Sequence, residues 1–164
     1  SANPHAIPGQ RRLRNGDLVV FDFGARVNGY CSDTTRTVCI GEPSVEQQRI
    51  YDAVCAANSA VRRALKPGVT GAEMHKLAES VLADAGYANC MGHALGHGVG
   101  IDIHESPVLG PSNDQPLVVG NVVTDEPGIY LPGQNGVRIE DFGCITDEGF
   151  DNFCTLSHEL QVIA

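Results

Sequence analysis

The stretch VVFDFGARVNGYCSDTTRT, residues 19–37, decides the fold. It alternates like a half-buried β-hairpin about Asn28-Gly29, the strongest short-range hairpin signal, with strands expected over 17–24 and 30–40. Yet Asp22 and Asp33 stand inside its two apolar runs. A carboxylate on a strand that faces a core is costly unless something pairs with it. The fold must therefore supply that partner.

The pattern recurs downstream. Asp22 follows Gly16 by six residues, as Glu126 follows Gly120. Asp33 follows Gly29 by four residues, as Glu140 follows Gly136. HAIP (5–8) is echoed by HESP (104–107). Both halves read His-x-x-Pro, Gly, apolar strand, acid, Asn-Gly, strand, acid. A pseudo-twofold would bring the four acids toward one centre, on one face of four adjacent strands, because side chains two apart in a strand share a face. Four carboxylates cannot share a site without raised pKa values or cations. Two divalent cations would cancel the charge, which is the physical case for a two-metal site with a bridging hydroxide as nucleophile.

Between the two β segments the period changes. Ser44-Val-Glu-Gln47 and Thr70-Gly-Ala-Glu73 are capping-box patterns. Ile50, Val54, Ala57, Val61 and Leu65 follow the first at helical spacing, and Pro67-Gly68 stops the run. Met74, Leu77, Ala78, Val81, Leu82 and Ala85 follow the second, and Gly86 suits a C-cap. These are two amphipathic cover helices, and the stripe of the second is core rather than a cofactor box. After residue 90 the chain becomes β again. HGVGIDIHE alternates at Val99, Ile101 and Ile103, GNVVTDEPGIYL and GVRIEDFGCIT read as two strands about an Asn135-Gly136 turn, and SHELQVIA reads as a final strand.

The 164 residues allow one domain with a real core, at 42% hydrophobic and 19% charged. Net charge is −9, from 11 Lys+Arg against 20 Asp+Glu. No basic stripe is present to release counterions, which argues against nucleic acid or an anionic membrane surface. No apolar run approaches the length of a membrane helix. Cys31, Cys39, Cys55, Cys90, Cys144 and Cys154 form no C-x-x-C pair, and their irregular spacing reads as reduced thiols in a cytoplasmic protein, although an even count also permits disulfides.

His93, His97 and His104 fall within twelve residues, out of six histidines in all. A lone His is more often a satisfied core residue than a ligand, and His158 has that reading. Three together point to a site. Gly92, Gly96, Gly98 and Gly100 disfavour a helix there and suit a strand or turn that passes close to a ligand. Carboxylates with one His suit hard or borderline ions such as Mn²⁺, Co²⁺ or Fe²⁺, and the thiolates of structural zinc are missing.

DLVVFDFGARVNGYCSDTTRT, HALGHGVGIDIHESP, TDEPGIY and GVRIED together resemble the signatures of the pita-bread metallopeptidases, which include Xaa-Pro aminopeptidases, prolidases and methionine aminopeptidases. The resemblance runs from about Pro4 to the C-terminus. It implies an α+β pita-bread fold: a strongly curved antiparallel sheet with a pseudo-twofold repeat, covered by helices. It implies five metal ligands, Asp22, Asp33, His97, Glu126 and Glu140, with Asp33 and Glu140 bridging two divalent ions, Mn²⁺ first and Co²⁺, Fe²⁺ or Zn²⁺ as alternatives. His5 matches a residue that contacts substrate and the tetrahedral intermediate, and His93 and His104 match the other site histidines. Tyr130 and Arg138 match residues that brace the ligands, and Glu126 or Glu140 doubles as proton shuttle. DFGA, SDTTRT and GVRIED resemble the Xaa-Pro branch, whose substrate is a peptide with proline at its second position.

The repeat also exposes a gap. Residues 44–103, both helices included, precede His104 in the second half, while only residues 1–4 precede His5. By symmetry a comparable stretch with its own helix pair is missing. The expected organisation is a single catalytic domain, 1–164, truncated at its N-terminus: 1–42 the rest of a first half-repeat, 43–146 the second, 147–164 a C-terminal strand region. An uncovered sheet face of that kind invites a homo-oligomer or association with the missing part. Besides the Xaa-Pro peptidase, a methionine aminopeptidase and a non-catalytic peptide- or protein-binding module or inactive fragment are the competing functions.

Overall fold

The computed structural model describes residues 1–164. The first hairpin pairs β1 (Leu18–Phe23) antiparallel to β4 (Thr34–Ile40), with Asp22 opposite Thr35. Its tip is a small ribbon of β2 (Arg26–Val27) and β3 (Tyr30–Cys31). Asn28 (φ 53°) and Gly29 (φ 92°) both take the left-handed backbone that a two-residue turn of matching twist requires.

Two helices follow, α1 (Val45–Ala64) and α2 (Gly71–Asp84), each opened by the capping box its sequence predicts. Ser44 Oγ accepts from Gln47 N–H at 3.2 Å while Gln47 Oε1 accepts from Ser44 N–H at 2.8 Å. Thr70 and Glu73 repeat the exchange. α2 ends in a Schellman motif, with Gly86 N–H donating to Ala83 O and Tyr87 N–H to Leu82 O, both at 2.9 Å, and Gly86 at φ 95°. The apolar stripes meet as read: Ile50, Val54, Ala57 and Val61 of α1 join Met74, Ala78 and Leu82 of α2 in one core, over Val123, Ile129, Val137, Ile139 and Ile145 of the sheets.

The second β segment is more broken than its alternation suggests. β5 (Gly96–Gly98) is short, and residues 101–104 form bends before β6 (Glu105–Leu109). Ile101 and Ile103 are exposed rather than strand-buried, because the chain turns on itself there: Gly100 N–H donates to Asp102 O. The two expected long strands are each divided at their acid, into β7 (Val122–Asp125) and β8 (Gly128–Tyr130), and into β9 (Gly136–Arg138) and β10 (Asp141–Thr146). β8 pairs with β9 and β7 with β10, so Glu126 and Glu140 sit where each strand bends. Asn135-Gly136 is not the turn. Gly136 already pairs with Tyr130, and the left-handed residue of the connection is Gly133, at φ 73°. β11 (Gly149–Asn152) adds an unforeseen hairpin on β10, and β12 (Gln161–Ile163) joins β4 parallel, the one departure from an antiparallel arrangement.

The sheets run β1-β4-β12 and β11-β10-β7-β5-β6. They are stitched by Thr35, which bridges Glu140 through both backbone groups. The four acids therefore lie on four neighbouring strand paths, as the repeat predicts. The helices cover the second sheet. Phe21 and Phe23 of β1 remain about half exposed. All six cysteines are free thiols, and no helix is long and apolar enough to cross a membrane.

One interior group stands out. Asp125 is wholly buried, beneath α1, with no partner for either carboxyl oxygen; Asn58 Oδ1 and Arg62 Nε are also buried without a hydrogen bond, although Arg62 Nε lies 3.7 Å from Asp141 Oδ2. Burial, then the charge of Asp141 across the β7–β10 ladder, pushes the Asp125 carboxyl well above the carboxylate range. Replacing an unpartnered buried polar group by an apolar one of similar shape recovers about 1–3 kcal/mol. Asp125→Val is expected to raise the thermal midpoint by several degrees. A lower midpoint on thermal melting would show that Arg62 depends on Asp125.

Candidate metal centre

Asp33, His97 and Glu140 converge, with one ligand atom from each within 4.8 Å of the others. Asp33 ends the first hairpin's tip, Glu140 lies at the β9–β10 bend, and His97 is the middle residue of β5. Asp33 and Glu140 are buried. Glu126 and Asp22 flank the cluster. Glu126 Oε1 is 3.3 Å from His97 Nε2, and Asp33 Oδ2 is 3.6 Å from the same nitrogen. Asp22, whose side chain is half exposed, is held by Arg138 Nη2 at 2.7 Å.

The protonation of His97 follows from its partners. Its Nδ1 lies 2.9 Å from Gly98 O, which can only accept, so Nδ1 carries the proton. Burial lowers the ring's pKa and keeps it neutral. Nε2 then turns a lone pair toward two carboxylates. That contact is repulsive unless a proton or a cation stands between them, and a neutral imidazole oriented by its second nitrogen is what a metal requires. The carboxyls carry the same signature. Burial, then the charge of Asp22, pushes Asp33 up to about 6. Burial raises Glu126, and burial followed by Glu126 and Asp33 raises Glu140. The residues present thus fit a divalent-cation centre.

The other expected site residues surround it. Arg138 Nη1 donates to Tyr130 Oη at 2.9 Å, and Tyr130 Oη donates to His93 Nε2 at 3.1 Å. His93 Nδ1 donates to Ala94 O, and burial lowers this ring's pKa too. A continuous path therefore joins Asp22 to His93. The His104 ring meets that of His97 edge-on, with centroids 4.3 Å apart. Its loop is clamped by Cys31 N–H on Gly100 O at 2.7 Å, and Glu105 Oε2 accepts from Asp102 N–H. His5 sits in the N-terminal segment at a cleft of about 790 Å³ that Asp22 and Arg138 also line. The sequence reading passed over Glu105, Thr35 and Thr124. Thr35 Oγ1 donates to Glu140 Oε2 at 2.5 Å, and Thr124 Oγ1 to Glu126 Oε1 at 3.1 Å. Each Thr lies two residues from a ligand acid, so strand periodicity would have found them.

Residues 1–147 match the profile of metallopeptidase family M24. The Xaa-Pro dipeptidase of Lactobacillus delbrueckii subsp. lactis is 43% identical over 99% of this chain and 44% of that protein. The crystal structure of an X-Pro aminopeptidase from Thermotoga maritima MSB8 superposes with a TM-score of 0.97 at 39% identity, over 99% of this chain and 46% of that one. An Xaa-Pro dipeptidase from Bacillus anthracis gives 0.96 at 42% identity, over the same shares. The chain thus spans less than half the length of these relatives.

Raised carboxyls bind protons more tightly in the folded chain than in the unfolded one, so they make the metal-free protein less stable as pH rises. Neutral His93 and His97 act in the opposite sense, but only below their ordinary value of 6.5. Between about pH 6.5 and 8 the carboxyls dominate, and the metal-free midpoint is expected to fall across that window. Glu140→Gln should flatten the fall and raise the midpoint at pH 8 by a few degrees, while abolishing any stabilisation that an added divalent cation gives the parent chain. Melts with and without EDTA measure both effects.

Proposed function

The chain belongs to metallopeptidase family M24, and from that premise we propose that it carries the metal centre of a dinuclear exopeptidase acting at Xaa-Pro bonds. The observation that supports this most is the neutral His97 Nε2 facing Asp33 and Glu126 beside Glu140. In this reading Asp22, Asp33, His97, Glu126 and Glu140 would hold two divalent ions, Mn²⁺ by preference. Bound there, such ions supply Lewis acidity, polarising the scissile carbonyl and acidifying the attacking water.

The chain's own residues do the rest. Arg138 orients Asp22 through its 2.7 Å contact. Tyr130 and the Ala94 carbonyl hold His93 in one tautomer, which fixes the ring at the edge of the site. His104 and His5 line the approach and contact the peptide. Glu126, with its affinity for protons raised by burial, takes a proton from the attacking water and returns it to the departing amine. The names of the relatives, Xaa-Pro dipeptidase and X-Pro aminopeptidase, support a substrate with proline at its second position. Free thiols agree with a cytoplasmic setting.

The protein loaded with Mn²⁺ is expected to cleave an Xaa-Pro dipeptide or an Xaa-Pro-Xaa peptide and to leave a Met-Ala-Xaa peptide intact. Cleavage of the Met-initiated peptide alone would favour a methionine aminopeptidase, and metal binding with no cleavage a binding module or an inactive fragment. Asp33→Asn should remove metal binding and activity together. His5→Ala should keep the metal and lose about 10²-fold or more in kcat.

A further inference from the structure

Behind the ligand carboxylates lie two threonine hydroxyls, and their surroundings leave each only one orientation. Thr35 and Thr124 are fully buried. A threonine hydroxyl has one proton to give and lone pairs to receive. Thr35 Oγ1 receives Arg138 Nε at 3.2 Å, and Thr124 Oγ1 receives the backbone N–H of His97 at 3.0 Å. Neither donor can reverse its role: a guanidinium stays protonated and an amide N–H cannot accept. With an N–H on the lone-pair side, each hydroxyl proton is left to the glutamate in its ionised, cation-binding form, Glu140 Oε2 at 2.5 Å and Glu126 Oε1 at 3.1 Å.

We propose that Thr35 and Thr124 are positioning residues of the metal centre, each committing its hydroxyl proton to a ligand glutamate and so fixing that carboxylate's orientation toward the cations. This rests on the reading of the five ligands given above. Thr35 links Glu140 to Arg138 and through it to Asp22. Thr124 links Glu126 to the backbone of His97, on the neighbouring strand β5. Gly96 permits that closeness, since a Cβ there would collide with Thr124. Each hydroxyl therefore sets the spacing of two ligands as well as the direction of one. The β-branched side chain holds the hydroxyl in place by restricting χ1. Valine has the same shape and would fill the same volume, but it leaves a carboxylate without its donor and an N–H without its acceptor.

The fold contains its own control. Thr37 is buried, two residues along β4 from Thr35, and its Oγ1 exchanges hydrogen bonds only with the backbone O and N of Arg138, at 2.9 and 3.1 Å. It touches no ligand carboxylate. A loss of affinity that reflected only the removal of any buried hydroxyl would appear at Thr37 as well.

Calorimetric titration with Mn²⁺ tests the proposal, with a thermal melt of each variant. Thr35→Val and Thr124→Val should each weaken Mn²⁺ binding by about 10–100-fold, the usual effect of removing a hydrogen-bond partner of a metal ligand. Thr35→Ser and Thr124→Ser should restore it to within a few-fold. Thr37→Val should lower the melting midpoint and leave Mn²⁺ affinity unchanged. If Thr35→Val does not fold, Thr35→Ala carries the same expectation. Valine variants that bind Mn²⁺ as tightly as the parent, or a loss at Thr37→Val as large as at Thr35→Val, would overturn the proposal while the metal centre itself stood. A parent chain that binds no Mn²⁺ would overturn the metal centre, and the proposal with it.

Discussion

Four carboxylates on four neighbouring strands repel one another and lose hydration, and most of what surrounds them offsets that cost. Arg138 is placed among them, but one guanidinium cannot balance four acids, and its closest contact is with Asp22 at the exposed edge. The deficit falls on Asp33, Glu126 and Glu140, where burial raises all three carboxyls. A strand core does not accept such residues for stability. They are tolerated because the fold closes over them elsewhere, through α1, α2 and the apolar residues of the sheets beneath.

The strand period extends this constraint to the other face. Residues next to the ligands point away from the site, so Asp125 follows from Glu126 and Asp141 from Glu140. There the protein supplies partners from its own chain. Asp141 receives Arg36 Nη2 and His158 Nε2, each at 2.7 Å, and although burial opposes it, these bonds lower its pKa. Arg36 spends its remaining donors on the carbonyls of Thr35, Glu140, Leu156 and Ser157. One side chain thus ties β4, the Glu140 bend and the C-terminal segment together. Glu140 is fixed through its backbone by Arg36 and through its carboxylate by Thr35. Asp125 has no such partner, which makes it the weak point of the rear network.

Much of this was legible in the residues. Asn28-Gly29, the two capping boxes and the recurrence of glycine-to-acid spacing are local signals, and local geometry obeyed them. The failures share a cause. Asn135-Gly136 is the same dipeptide as Asn28-Gly29, yet it lies one step beyond a longer connection, because pairing between β8 and β9 decides the register. The alternation through Ile101 and Ile103 is real, but Gly98 and Gly100 before it let the chain fold back before a strand forms. The breaks at Glu126 and Glu140 depend on which strand lies alongside, and that is a tertiary fact. Thr35 and Thr124 were within reach: the rule that places Val20 on the face of Asp22 also places Thr35 with Asp33, Arg138 with Glu140 and Thr124 with Glu126.

The pseudo-repeat does more than duplicate a hairpin, because two of the four acids are braced from the opposite half. Asp22 belongs to the first half and is held by Arg138 of the second; Glu140 belongs to the second and is held by Thr35 of the first. The Thr35–Glu140 backbone bridge is also the stitch between the two sheets. Neither half alone can orient its own acids at that seam. Docking of the halves and formation of the ligand cage are therefore one event, and cations that bind only the formed cage must stabilise the seam by mass action. Under the proposed metal binding, charge crowding that would part the two sheets would become, with cations present, the interaction that holds them together.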